Sequence, residues 1–147
     1  MKTNEKLILT ILTIYLDVSL IWILLNQNLN MYDTTFIYIA LFTHIVFYMG
    51  IYTQKRLILD PCHYLMFILI IFSIFIKNKF LIILLITLII VVYITWGFFN
   101  RCILNTAKQN ETNIVYELTG FNSSSLYNTV ILILLLKLTN IIQYNKI

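Results

Sequence analysis

Five apolar stretches divide this sequence, running from Leu7 to Leu25, Thr35 to Thr53, Pro61 to Ile76, Phe80 to Phe99 and Leu126 to Tyr144. A helix rises about 1.5 Å per residue, so about 20 apolar residues cross the hydrocarbon core of a bilayer, with a range of about 17–25. Four of the five stretches meet that length comfortably. The third is short, and Asp60-Pro61 at its start reads as an N-cap followed by proline at the first helical position. Composition agrees: 61% of the residues are hydrophobic and 11% charged, against about 45–50% and about 25% in soluble domains. The mean hydropathy is +0.90. In water a chain of 147 residues would bury only part of its apolar surface, so lipid must take the rest. The expected fold is all-α, a single polytopic transmembrane helical bundle over residues 1–147 with five spans.

Only Lys77-Asn78-Lys79 separates the third stretch from the fourth, which predicts a tight helical hairpin whose lysines snorkel to one surface. Four spans is the alternative, with residues 61–76 re-entrant or lying in the interface. In the five-span arrangement Lys2, Lys6, Lys55, Arg56, Arg101 and Lys108 lie on one side and Lys77, Lys79 and Lys146 on the other. Cytosolic flanks carry the excess of Lys and Arg, so the N-terminus is expected in the cytosol or its equivalent. The first stretch follows a basic start without a small-residue cleavage site, and it reads as an anchor that stays in place as a span. The polar connection from Asn100 to Ser125 holds Thr106 and Gln109 at capping-box spacing and Gly120 as a stop signal. A short interfacial helix in the 100–125 loop is expected, with an ordinary polar loop as its alternative.

Three ionisable residues fall in mid-stretch: Asp17 in the first, His44 in the second and Lys137 in the fifth. Each lies within roughly 3 Å of its own segment's midpoint, so an acid, an imidazole and an amine share a depth. An isolated Asp or Lys at a helix centre costs about 2.5–3.5 kcal/mol on insertion scales, and such residues usually face a partner or a cavity. Pairing Asp17 with Lys137 would remove most of that cost and draw the first and last helices together. Thr10 and Thr13 share the Asp17 face, which is therefore expected to point inward. The cluster reads either as a tie that fixes helix packing or as a proton or ion relay, with an imidazole that titrates near neutral pH.

Cys62 opens the third stretch and Cys102 follows the fourth, which brings both thiols to one membrane face beside His63 and Asp60. A metal or thiol site can be drawn from Cys62, His63 and Cys102, but there is no CxxC or HxxxH spacing. Two unpaired thiols and no bound metal are the expected state, and a disulfide would be unusual on a cytosolic face. No phosphate-binding loop, nucleophile elbow or paired carboxylates appear, so neither an enzyme nor a cofactor is expected. The net charge of +4 is scattered rather than gathered into a nucleic-acid patch. Partners are then the bilayer itself and other membrane proteins, or further copies of this chain. No small-molecule substrate is indicated.

Ile, Leu, Phe, Tyr and Asn are abundant while Gly and Pro number three and one. That is the bias an A+T-rich genome writes into greasy segments, as in organelles, some parasites and large DNA viruses. The stretch Trp96-Gly97-Phe98-Phe99-Asn100-Arg101-Cys102-Ile103-Leu104 resembles a pattern found in uncharacterised small multi-span membrane proteins, including those of large DNA viruses. Asn105 stands where that pattern has Thr, and Glu111 lies further along than its acidic residue. The resemblance implies a membrane protein without a catalytic assignment. The expected role is a structural or assembly component of a membrane or membrane complex, as a viral membrane protein or an accessory subunit. A transporter or channel using Asp17, His44 and Lys137 as a polar pathway is the alternative. The membrane would be that of a virion, a host cell or an organelle.

Two acceptor sequons, Asn110-Glu-Thr and Asn122-Ser-Ser, test the orientation. Expressed with microsomes, the chain is expected to show no glycosidase-sensitive mobility shift. A clear shift would place this loop in the lumen and invert the topology.

Overall fold

The computed structural model describes residues 3–99 and 123–139. Five α-helices account for nearly all of them: α1 (Thr3–Asn26), α2 (Met31–Thr53), α3 (Arg56–Phe72), α4 (Lys79–Phe99) and α5 (Ser123–Leu138). A 3₁₀ turn, Ser73–Phe75, prolongs α3, and there is no strand among the described residues. The Asn4–Asn26, Met31–Thr53 and Leu57–Phe75 segments are long and apolar enough to cross a membrane. Lys79–Thr95 and Ser125–Leu138 form shorter apolar helical stretches. The interfacial helix expected in the 100–125 loop falls mainly outside the described residues, which resume at Ser123 with the first turn of α5.

The third helix departs from the sequence reading. It begins at Arg56, and Pro61 lies inside it as its sixth residue rather than at its first position. The cause lies in the preceding junction. Gln54 closes α2 in the left-handed region at φ 55°, donating its N–H to the Gly50 carbonyl at 2.8 Å. A chain that reverses so sharply brings Ile58 and Leu59 directly against α2, where Leu59 is buried. Burying those side chains offsets the one backbone bond that Pro61 cannot make. The early start also lengthens the segment that the sequence made shortest, so the reason for suspecting a re-entrant third stretch disappears.

The helices form a closed ring. α1 packs on α2 and α4, α2 also on α3, and α5 completes the circuit between α4 and α3. α2 and α3 run antiparallel, as a cross-contact shows: Tyr32 at the start of α2 donates its hydroxyl to the Phe72 carbonyl at the end of α3, at 2.8 Å. Tyr93 late in α4 likewise donates to Asn128 early in α5, at 2.8 Å. Inward residues of α1 recur at Glu5, Leu9, Thr13, Leu20 and Ile23, one stripe at helical spacing. The outward face is as greasy as the inside, with Leu7, Val18, Phe42, Tyr52 and Phe98 all more than half exposed. In water such a surface would associate; against lipid it is solvated.

One end of the ring is tied by polar side chains. Asn30 caps α2, accepting from Asp33 N at 2.9 Å and donating Nδ2 to Asp33 Oδ2 at 2.9 Å. The buried Asp33 carboxylate then reaches across to the α3–α4 turn, where it accepts from Lys77 N at 3.1 Å and Asn78 N at 2.9 Å. Asn78 in turn caps α4 by accepting from Leu81 N at 3.1 Å. From the far side Lys137 Nζ donates to the Ile74 carbonyl at 2.7 Å and also to the Ile76 carbonyl. The backbone groups that the turn leaves open are thereby met from α2 and α5. The short turn expected at 77–79 is present, with Lys79 already inside α4, but α3 and α4 do not pack on each other as a hairpin, because α5 stands between them in the ring.

Asp33→Ala leaves two part-buried backbone N–H groups without their acceptor, which predicts a loss of about 1–3 kcal/mol. Asp33→Asn keeps one acceptor oxygen and should lose less. Unfolding in mixed micelles titrated with denaturing detergent measures both; equal stability of Asp33→Ala and the parent would refute the tie.

Candidate functional site

Half-way along the ring, α1 and α2 carry a second polar group. His44 Nδ1 lies 2.6 Å from Asp17 Oδ1, and the Tyr48 hydroxyl donates to Asp17 Oδ2 at 2.9 Å. His44 and Tyr48 stand one helical turn apart on α2, so both meet the same carboxylate on α1. With Asp17 as the acceptor in both bonds the shared hydrogen sits on Nδ1, and Nε2 is the other ring nitrogen, an acceptor in the neutral ring and a donor in the protonated one. The carboxylate's side chain is 21% exposed and the imidazole's 9% exposed. This pair is the closest acid–base contact among the described residues.

Inside the ring lies a cavity of about 150 Å³ to which all five helices contribute. Leucine, isoleucine, valine, methionine and phenylalanine make most of its wall, and Tyr127 closes it at α5. Its polar contributors are His44, His63, Thr13 and Thr95. Thr13 and Thr95 turn their hydroxyls to their own helices, donating to the Leu9 carbonyl at 2.7 Å and the Val92 carbonyl at 2.8 Å. Asp17 and Tyr48 stand outside the cavity.

The structure divides the three-residue cluster that the sequence suggested. Asp17 and His44 meet; Lys137 is held at the α3–α4 turn, level with Asp33. His44 is eleven residues further along α2 than Asp33, about 16 Å at the rise of a helix. The pairing of Asp17 with Lys137 is replaced by two separate ties, for a topological reason. α4 sits between α1 and α5 in the ring, so the first and last helices are not principal neighbours. Lys137 falls in the last turn of the described α5.

One of the two thiols lies among the described residues. Cys62 is a buried free thiol packed among Leu9, Phe47, Ile51 and Leu59 between α1, α2 and α3. His63, one residue on and about 100° around the helix, lines the cavity instead and stacks near Tyr64 at 6.1 Å. Cys102 and most of the Trp96–Leu104 stretch lie outside the described residues. Among the described residues no three His, Cys, Asp or Glu side chains gather where one metal ion could be held.

Compared with models of protein families, with curated proteins and with solved structures, the chain matches none. The site's reading therefore rests on its own geometry.

Sequence reasoning missed Asp33 and Tyr48. The spacing Asn30-x-x-Asp33 is a capping box with aspartate at its fourth position, a signal available in the sequence. Tyr48 was equally visible as the residue one turn beyond His44. Neither spacing tells which helix stands opposite.

A double-mutant cycle on Asp17→Leu and His44→Phe is expected to give a coupling of about 1–3 kcal/mol in unfolding free energy. Tyr48→Phe alone should cost about 1 kcal/mol. Additive single effects would show that the contact contributes nothing to the fold.

Proposed function

We propose that this chain is a small, non-enzymatic protein that crosses the bilayer five times, with its N-terminus on the cytosolic side. It acts as a structural or assembly component of a membrane or membrane complex. The carrying observation is how its intramembrane polar groups are used. Asp17, Asp33, His44 and Lys137 all make tertiary hydrogen bonds that join one helix or turn to another. Around that tied interior stands an outward surface of large apolar side chains, including Val18, Phe42 and Phe98. Such a surface serves lipid and protein neighbours alike. The alternation of helix direction supports five crossings, although α4 and α5 contribute shorter apolar stretches than the first three helices. The resemblance around Trp96–Leu104 supports a setting in the membrane of a large DNA virus or its host.

A second reading, a transporter or channel, draws on one observation: His44 lines a central cavity. The rest of the geometry weighs against it. A polar route needs groups continuing from face to face, and the cavity wall is apolar on most sides. Lys137, the third member of the proposed pathway, is engaged at the α3–α4 turn.

Photo-crosslinkers placed at Val18, Phe42 and Phe98 in the native membrane should give discrete protein adducts from one side of the ring. Purified chain in vesicles should carry no proton or ion flux above empty vesicles. Flux that is lost in the Asp17→Asn variant, with the protein still inserted, would replace the assembly reading by the transporter.

A further inference from the structure

Among the polar groups that line the ring cavity, His44 carries a ring nitrogen without a hydrogen-bond partner among the described residues. The hydroxyls of Thr13 and Thr95 donate to backbone carbonyls. His44 is bonded through Nδ1 alone, and its Nε2 has no hydrogen-bond partner among the described residues. The side chain is more than nine-tenths buried. Asp17 and Tyr48 do not line the cavity while His44 does. His44 alone of the three lines the cavity, and with Nδ1 committed to Asp17, Nε2 is the ring nitrogen available to that space. A buried polar atom left unpaired costs about 1–3 kcal/mol.

The size of the space narrows what would complete it. An apolar cavity of about 150 Å³ in a protein interior stays dry and accepts one benzene ring. This cavity has that volume, a wall that includes Phe47, Phe67 and Leu88, and the open nitrogen of His44. We infer that it is a binding site for a single-ring phenol, whose ring fills the apolar space and whose hydroxyl donates to His44 Nε2. Asp17 acts as a positioning residue: by accepting the Nδ1 hydrogen it fixes the imidazole's orientation and presents Nε2 as the acceptor. The hydroxyl supplies the donor that the nitrogen lacks, and the ring supplies the dispersion contacts that an empty cavity forfeits.

The test uses the full chain in nanodiscs, with 4-fluorophenol and fluorobenzene as probes read by fluorine NMR against empty nanodiscs. Saturable binding of both is expected, with 4-fluorophenol the tighter. His44→Phe keeps a ring and removes the nitrogen, so it should weaken 4-fluorophenol by up to about tenfold, the effect of one net hydrogen bond, and leave fluorobenzene unchanged. Leu88→Trp fills the space without touching the Asp17–His44 pair and should weaken both probes. If His44→Phe does not insert, the decision falls to the parent chain's preference between the probes and to its loss in Leu88→Trp. Binding no greater than in empty nanodiscs overturns the proposal, as does equal affinity for the two probes.

Discussion

The Asp33 carboxylate and the Lys137 ammonium, meeting one turn from opposite sides, are the contacts on which the ring of helices depends. Lipid tails are as apolar as leucine, so burying an apolar face against another helix gains little over leaving it in the bilayer. Packing alone would leave these helices free to separate. The turn between α3 and α4 leaves backbone N–H and carbonyl groups without helical partners, and each one left unsatisfied is costly. Asp33 takes the N–H groups and Lys137 the carbonyls. α2 and α5 are thereby fixed to the same turn, and four of the five helices are joined at one end.

Close packing elsewhere is limited by the supply of small residues. Gly50 is used fully: a methyl group in its place would meet Leu59 Cδ2 at 2.9 Å, so glycine lets α3 lie directly on α2. Ala40 is buried at the cavity wall. Gly97 has open space around it and contributes no such contact. Beyond these positions the helices meet through leucine, isoleucine and phenylalanine, whose bulk holds backbones apart. Bulky side chains arranged around a five-membered ring cannot all reach the centre, which explains a cavity inside a ring so rich in apolar residues.

Much of this architecture was legible in the sequence because the spans are written in an uninterrupted apolar code. The stretch from Phe80 to Phe99 became α4 almost residue for residue, and Thr35 to Thr53 needed only a four-residue extension to Met31. The start of α3 was not legible. Asp60-Pro61 is a strong local signal for a helix start, and it lost to burial of Leu59 against Gly50, a contact between segments. The polar residues show the same division. Periodicity placed Asp17 and Thr13 on an inward face, but which helix faces them depends on ring order, and no spacing within one helix encodes that. Asp17 thus found His44 on the adjacent helix instead of Lys137.

The two polar groups differ in completeness, and that difference bears on what each is for. At the α3–α4 turn every contact closes a deficit in the backbone, and the purpose is met by the fold itself. At the α1–α2 level Asp17 already has a hydroxyl donor in Tyr48. An asparagine at position 44 would also have offered a donor. Histidine instead brings a second nitrogen that the helices leave open, placed where the wall of the cavity begins. A buried network with one unfilled position is less favourable than a complete one. The open position is therefore better explained by something that enters the cavity than by the packing of α1 on α2.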